Sequence, residues 1–292
     1  MIDVHHHAYH PRLVAELSEL NVTEMAPGVP VPTWSPADSL RVMDDNGVEG
    51  AVLSVLLPDL ARPSAGLVRR VNEWTAELLG DRFGGLAALP ADDVDAALAE
   101  VAYALDVLEL DGVVLSASLP DGRLLGDPSL APVFDELNRR RAVVFIHPNP
   151  AFRCACTSPA VPPPLVDFVM DTTRAVASLL FSGTLRRCPD IRFILAHGGG
   201  TVPYLARRFE LAGEWVLPDA TAEAVRDGLH GLYYEMAQSA SPGALACLRT
   251  VTDDSHILFG TDYPFMPEAV VASTLRAMRG PDHAPAVFAR FK

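Results

Sequence analysis

Lysine is almost missing from this chain: of 292 residues the only one is Lys292, and arginine supplies the rest of the 23 basic side chains. Against them stand 37 acidic residues, a formal net charge of −14 spread along the chain. Such a field repels nucleic acid and anionic membrane surfaces, so neither is an expected partner. An anionic ligand would have to be attracted locally, by a metal ion or a few placed arginines. Cysteine is scarce as well: Cys154, Cys156, Cys188 and Cys247 are too few to staple a long chain, and reduced thiols are expected. The Cys154-x-Cys156 pair lacks the second pair that a structural zinc site needs. No apolar run approaches the ~20 residues of a membrane span. The chain does not open on a basic stretch followed by an apolar one, and a cytoplasmic protein is expected. No G-x-G-x-x-G or P-loop follows any apolar run, which removes support from nucleotide-binding folds.

What is present is a large supply of apolar surface: 49% hydrophobic residues and a mean hydropathy of +0.19. It is arranged in eight short β-branched or aliphatic runs: IDVHHH from Ile2, GAVLSVLL from Gly50, FGGLAALP from Phe83, GVVLSAS from Gly112, AVVFIHP from Ala142, IRFILAHGG from Ile191, LYYEMAQ from Leu232 and HILFGTDYP from His256. Amphipathic segments separate them. In SPADSLRVMDDNG, Ser35 and Asp38 suit a helix start and Gly47 a stop; ADDVDAALAEVAYALDVL has helical apolar spacing throughout. Eight strands alternating with helices and no linker predict one α/β domain over residues 1–292, a closed (β/α)8 TIM barrel, with an open doubly wound sheet as the alternative. Two proline-rich stretches, about 11–36 and 149–164, read as irregular and lid-like. Both follow strand C-termini, the face where barrel enzymes build their sites. The chain ends soon after the eighth run, at VFARFK, which predicts a short last helix and incomplete closure.

The unusual polar residues collect at those strand ends. His5 and His7 close the first run, His147 the fifth, His197 the sixth and Asp262 the eighth. Side chains alternate along a strand, so His5 and His7 share a face while His6 takes the other and faces the helix layer. Two imidazoles so placed can reach one cation, and a third imidazole with a carboxylate from other strands would complete a zinc-type shell with one position open. Singly, each residue also reads as a hydrogen-bonded core or turn residue, and His6, His10, His230 and His256 keep that reading. Placement at the same end of four strands is what favours a metal site.

H-x-H on the first strand, His on the fifth, A-H-G-G-G on the sixth and G-T-D-Y-P-F on the eighth resemble the amidohydrolase superfamily. More narrowly, they resemble the amidohydrolase-2 branch that contains aminocarboxymuconate semialdehyde and γ-resorcylate decarboxylases. The likeness runs from IDVHHH to GTDYPF and includes SPADSLRVMDDNGVEGAVLS and LLFSGTLRRCPDIRFILAHGGG. It implies one divalent metal ion, zinc or else manganese, held by His5, His7, His147 and Asp262. It also implies that His197 acts as base or acid without having to be a ligand, so that His197 and Asp262 form the candidate catalytic pair. The two-metal arrangement bridged by a carboxylated lysine is unavailable, because no lysine precedes Lys292.

From that apparatus two chemistries diverge. Decarboxylation of a small aromatic or unsaturated carboxylic acid is the expectation that the branch favours; metal-dependent hydrolysis of a lactone, amide or ester is the alternative, and a barrel that binds without catalysis is a third reading. A carboxylate substrate suits bidentate arginine, and the candidates are Arg208, placed where the resemblance implies an arginine reaching the neighbouring subunit of a homodimer, and Arg174, with Asp171 near it in sequence. Both also read as surface helix residues. Trp34 and Phe265 are candidates to line the pocket against a flat ring. The first long loop, APGVPVPTW, has no match for the arginine that the muconate semialdehyde decarboxylase carries there.

Overall fold

The computed structural model describes residues 1–26, 28–58, 64–148, 161–215 and 220–292. Each of the eight apolar runs becomes a strand: β1 (Ile2–His7), β2 (Gly50–Ser54), β3 (Phe83–Ala88), β4 (Gly112–Ser116), β5 (Val143–His147), β6 (Arg192–Leu195), β7 (Tyr233–Glu235) and β8 (Ile257–Leu258). They follow one another in chain order around one parallel sheet. Although β8 is short, the chain beyond it continues along β1. Val4 N–H donates to the Phe259 carbonyl at 3.0 Å, Asp262 N–H to His5 at 2.8 Å and His7 N–H to Tyr263 at 2.7 Å. This seam makes the sheet a nearly closed (β/α)8 barrel rather than an open sheet.

Helices form where the caps allow. Pro36–Asn46 starts at Ser35, whose side chain accepts from Asp38 N–H, and stops at Gly47 in the left-handed conformation (φ 69°). Val94–Asp106 buries Ala97, Val101 and Ala104 on one stripe. Apolar residues between the strands and the helices form two outer layers. The lumen is filled by Ile2, Val4, Val52, Leu86, Val114, Phe145, Ile194 and Leu258. Each such side chain contributes roughly 1.5–3 kcal/mol relative to exposure. Among the described residues no helix is long and apolar enough to cross a membrane.

Two expectations are corrected. Residues 11–36 are not irregular throughout: Pro11–Glu19 is a helix that buries Leu13 and Leu17, capped by the His10 side chain, and Glu24–Ala26 pairs with Val29–Pro30 as an antiparallel hairpin. Pro11 at its start and the prolines from 27 onward hid the Leu13/Leu17 spacing, although proline is at home in the first turn of a helix. The barrel end is not left open by the short C-terminus either. Ala284, Val287 and Phe288 pack with Ile2, Val4 and Val143 across the N-terminal ends of the strands, and Arg192 donates to the Val287 carbonyl at 2.6 Å. Most of the second proline-rich stretch, 149–160, and with it the Cys154-x-Cys156 pair, lies outside the described residues.

The first strand holds an irregularity that sets the site. Ile2 pairs with Gly50 and Asp3 with Ala51, but His6 pairs with Leu53 and His7 with Ser54. Val4 and His5 therefore face Val52 alone, which is a β-bulge. Asp3, buried on the outer side, anchors it by accepting from His5 N–H (3.1 Å), Thr261 N–H (3.0 Å), the Thr261 hydroxyl and the His6 ring at Nδ1 (2.9 Å). Bulge and barrel seam are thus tied by one carboxylate. Asp3→Ala strands several buried donors and should cost on the order of 3 kcal/mol in urea unfolding; a loss below about 1 kcal/mol would show that the seam holds without it.

Candidate functional site

The bulge brings His5 and His7 to the lumen together. Their Nε2 atoms lie 3.0 Å apart, a separation that two neutral imidazoles tolerate only if one shares a proton or both face a cation. Asp262, at the end of the β8 seam, sets Oδ1 at 3.0 Å from His7 Nε2 and 3.3 Å from His5 Nε2. His147 comes in from the end of β5. Ligand atoms of His5, His7, His147 and Asp262 all lie within 4.8 Å of one another, and all four residues are buried.

Each imidazole is oriented from behind. His5 Nδ1–H donates to Glu235 Oε1 at 2.7 Å, His7 Nδ1 meets the Ser54 hydroxyl at 3.1 Å, and His147 Nδ1–H donates to the Pro148 carbonyl at 2.7 Å. That leaves Nε2 of each ring for the common point, and His147 Nε2 is buried there without a hydrogen-bond partner. Outer partners on Nδ1 and free Nε2 atoms converging inward are the arrangement that a metal-binding histidine set requires. The residues present therefore fit one divalent cation.

The electrostatics point the same way. Burial alone would lower His5, yet Glu235 and Asp262 outweigh it and push it up to about 10. Burial holds His147 well below its ordinary value and lowers His7, with the positive neighbour His5 adding to both. Burial would raise the two carboxylates, but the charge on His5 and the surrounding hydrogen bonds overcome it and hold Asp262 well down and Glu235 below its ordinary value. Two buried carboxylates beside His7 and His147, which resist protonation, make a pocket that favours a cation.

His197 follows β6 with its backbone in the left-handed region (φ 55°), its N–H donating to Glu235 Oε1 at 2.6 Å. Its Nε2 stands 3.7 Å from Asp262 Oδ2, and its buried Nδ1 has no hydrogen-bond partner. Gln238 donates its side-chain amide to the same Oδ2. His197, Gln238 and Asp262 are all positive-φ residues without being glycine, and such backbone strain concentrates at functional sites.

A cavity of about 370 Å³ opens above this floor. His147, His197, Gln238 and Asp262 line its base, while Met25, Leu56, Phe168, Phe265 and Met266 line its walls. Phe265 stands edge-on to His7, ring centroids 5.3 Å apart. The other three proposed substrate contacts are placed elsewhere. Trp34 is buried beneath the wall, its indole N–H donating to Ser39 at 2.8 Å, and does not line the cavity. Arg208 is exposed on helix Val202–Trp215, and Arg174 is on helix Pro163–Phe181, on a different face from Phe168; neither lines the cavity. Among the described lining residues there is no lysine or arginine at all.

His6 points outward, between Asp3 and Ser39 (Nε2 to Oγ 2.9 Å), as alternation predicts. His10 caps a helix, and His230 and His256 sit near Asp253 at the opposite end of the strands. Sequence reasoning missed Glu235, Gln238 and Ser54. Glu235 had a legible signal, an acidic residue inside the apolar run LYYEMA; Gln238 and Ser54 had none.

The chain matches the amidohydrolase family model over residues 2–291. The decarboxylase yanB of Aspergillus niger is 35% identical, with 96% of this chain and 81% of that one covered. The 6-methylsalicylic acid decarboxylase acuB of Aspergillus aculeatus is also 35% identical, covering 94% and 87%. Among solved structures, an amidohydrolase II superimposes with a TM-score of 0.87 at 28% identity, over 98% of this chain and 96% of that one. A dihydroxybenzoic acid decarboxylase from Polaromonas sp. JS666, crystallised with manganese and 2-nitroresorcinol, shares the fold with a TM-score of 0.80 at 19% identity, over 100% and 97%. With its strand order, its strand-end histidines and nearly its whole length accounted for, the chain belongs to the amidohydrolase family.

Proposed function

We propose that this protein is a metal-dependent carboxy-lyase that removes CO2 from a small aromatic acid. The observation that carries the reading is the set of four buried donors at the floor of an apolar cavity, with His197 beside them. His5, His7, His147 and Asp262 would hold one divalent ion, zinc by its donor set, or manganese as in the Polaromonas decarboxylase. Such an ion supplies Lewis acidity and fixed positive charge toward a substrate oxygen. The named decarboxylase relatives support carbon–carbon cleavage over hydrolysis.

The chain's own residues divide the remaining work. Apolar walls flank a flat ring and keep water from it. The substrate's charge would be met at the floor, where His5, His7, His147 and Asp262 would hold the cation and the side-chain amide of Gln238 lies beside it. His197 and Asp262 manage the proton. It leaves the pair to form a new C–H bond at the carbon that bears the carboxylate; the bond to that carboxylate breaks, its electron pair returns to the ring, and CO2 departs. A proton taken up from solvent resets the pair. The hairpin of Glu24–Ala26 and Val29–Pro30 borders the cavity, and we read it as a lid.

A homodimer is part of the proposal. Six of the eight exposed large apolar side chains among the described residues lie on two helices, Leu165, Val166 and Met170 on one and Tyr204, Leu211 and Trp215 on the other. Arg208 is on the second, so a partner seated on this face would cover it and could receive it. We assign the enzyme to the cytoplasm, where Cys188 and Cys247 stay as free thiols.

Metal analysis of the purified protein should find one divalent ion per chain. Asp262→Ala, His5→Ala and His7→Ala should lose it, and His6→Asn should keep it; full retention in Asp262→Ala would sink the site. With 6-methylsalicylic and other 2-hydroxybenzoic acids, the metal-loaded enzyme should release CO2, and His197→Asn should lower kcat by about 10²–10⁴. Cleavage of an ester or lactone with no CO2 from any acid would reverse the assignment. Light scattering should give a dimer that Trp215→Glu converts to a monomer; a native monomer would remove the role of Arg208 in the neighbouring site.

A further inference from the structure

Glu235 has no part in the proposed chemistry: it is not one of the four donors, and it does not line the cavity. Yet it is completely buried, at the end of β7. One oxygen, Oε1, accepts from two groups at once, His5 Nδ1–H at 2.7 Å and His197 backbone N–H at 2.6 Å. The other, Oε2, accepts from Ala237 N–H at 2.8 Å. We propose that Glu235 is a positioning residue that joins the metal-holding half of the site to the proton-handling half through that single shared oxygen. The inference rests on the metal reading given above.

Three features of the chain argue that this carboxylate has its task by placement. The first is the cost of burying it: a carboxylate removed from water has to be compensated by hydrogen bonds on both oxygens, and Glu235 has three donors in place. The second is space. A Cβ on Gly260 would fall 2.1 Å from Glu235 Oε2 and 2.8 Å from His5 Cβ, so only glycine lets the β8 seam pass this close. The third is the left-handed turn at His197 (φ 55°), uncommon for a non-glycine residue, which aims its peptide N–H at the carboxylate.

The physical consequence is a coupling. By holding Nδ1–H of His5, Glu235 fixes the tautomer that leaves Nε2 free for a cation and raises the basicity of the ring. By holding the His197 backbone, it fixes how far that imidazole stands from Asp262. A change at Glu235 therefore reaches both functions, although it touches neither the metal position nor the cavity. Glutamine can copy only part of this: its amide oxygen can accept from His5 and His197, but its NH2 then confronts the Ala237 N–H, donor against donor.

The test compares Glu235→Gln and Gly260→Ala with native protein and with Glu100→Gln, which removes another buried carboxylate, one paired with Arg69 and Asn72 and not lining the cavity. The probe is zinc, titrated against a chromophoric chelator, and thermal unfolding is recorded without metal. Glu235→Gln should weaken zinc binding about 10- to 100-fold. At saturating metal it should also lower kcat at least tenfold with KM within about threefold, on the scale of a misplaced proton-transfer group. Gly260→Ala, which displaces the same oxygen from the other side, should move zinc affinity in the same direction. Glu100→Gln should lower the unfolding temperature and leave zinc affinity unchanged. Zinc affinity of Glu235→Gln within twofold of native, whatever its unfolding temperature, would overturn the proposal. Native protein that binds no zinc or other divalent ion would overturn the metal reading instead, so the two failures are distinguishable.

Discussion

Negative charge buried at the top of the barrel is the constraint from which the rest of this structure follows. Glu235 and Asp262 lie among His5, His7, His147 and His197 with almost no access to water. Two carboxylates in such a place are tolerable only if positive charge sits between them. Without a cation, a proton on His5 plays that part, which is why its affinity for a proton is raised far above an ordinary imidazole. A divalent ion in contact with the three Nε2 atoms and Asp262 would satisfy the same field more fully. The β-bulge, the Asp3 anchor and the glycine at 260 can all be read as what it takes to assemble that charge in one place.

Strain is distributed along the same line. Left-handed backbone at His197, Gln238 and Asp262 costs each residue of order 1–3 kcal/mol unless neighbours over-determine it. Here they do: Glu235 holds the N–H of His197, Gln238 holds Oδ2 of Asp262, and the carbonyl of His5 holds the N–H of Asp262. These bonds join four different strand ends, those of β6, β7, β8 and β1. The closing seam of the barrel is therefore also the frame of the site, so the loss of Asp3 bears on more than stability.

Much of this was legible in the sequence, and what was missed has physical reasons. Eight β-branched runs separated by capped amphipathic segments gave the barrel order, because strand and helix periods are local properties. His5, His7, His147 and Asp262 stood out because histidine and aspartate are conspicuous at the ends of apolar runs. Simple alternation placed His5 and His7 on one face correctly, but it would have put Ile2 and Val4 on the opposite one. The bulge resolves this, and it depends on Asp3 meeting Thr261, a contact 258 residues apart in sequence. The helix at Pro11–Glu19 was hidden by flanking prolines. Arg174 and Arg208 do not line the cavity of their own chain: on which side of a helix a residue falls is decided by packing, which the need of a carboxylate for a donor does not reveal.

An acidic protein that takes an acidic ligand, as proposed above, needs a local source of attraction. With a formal charge of −14, the chain offers an anion no long-range attraction. Nor do the described cavity walls supply a local fork of arginine. Among the described residues, what remains is a floor of buried donors under an apolar chamber, where low polarisability makes a short-range attraction strong. On the proposed reading, one carboxylate would be matched at that floor, and the rest of the ligand would meet Met25, Leu56, Phe168 and Phe265.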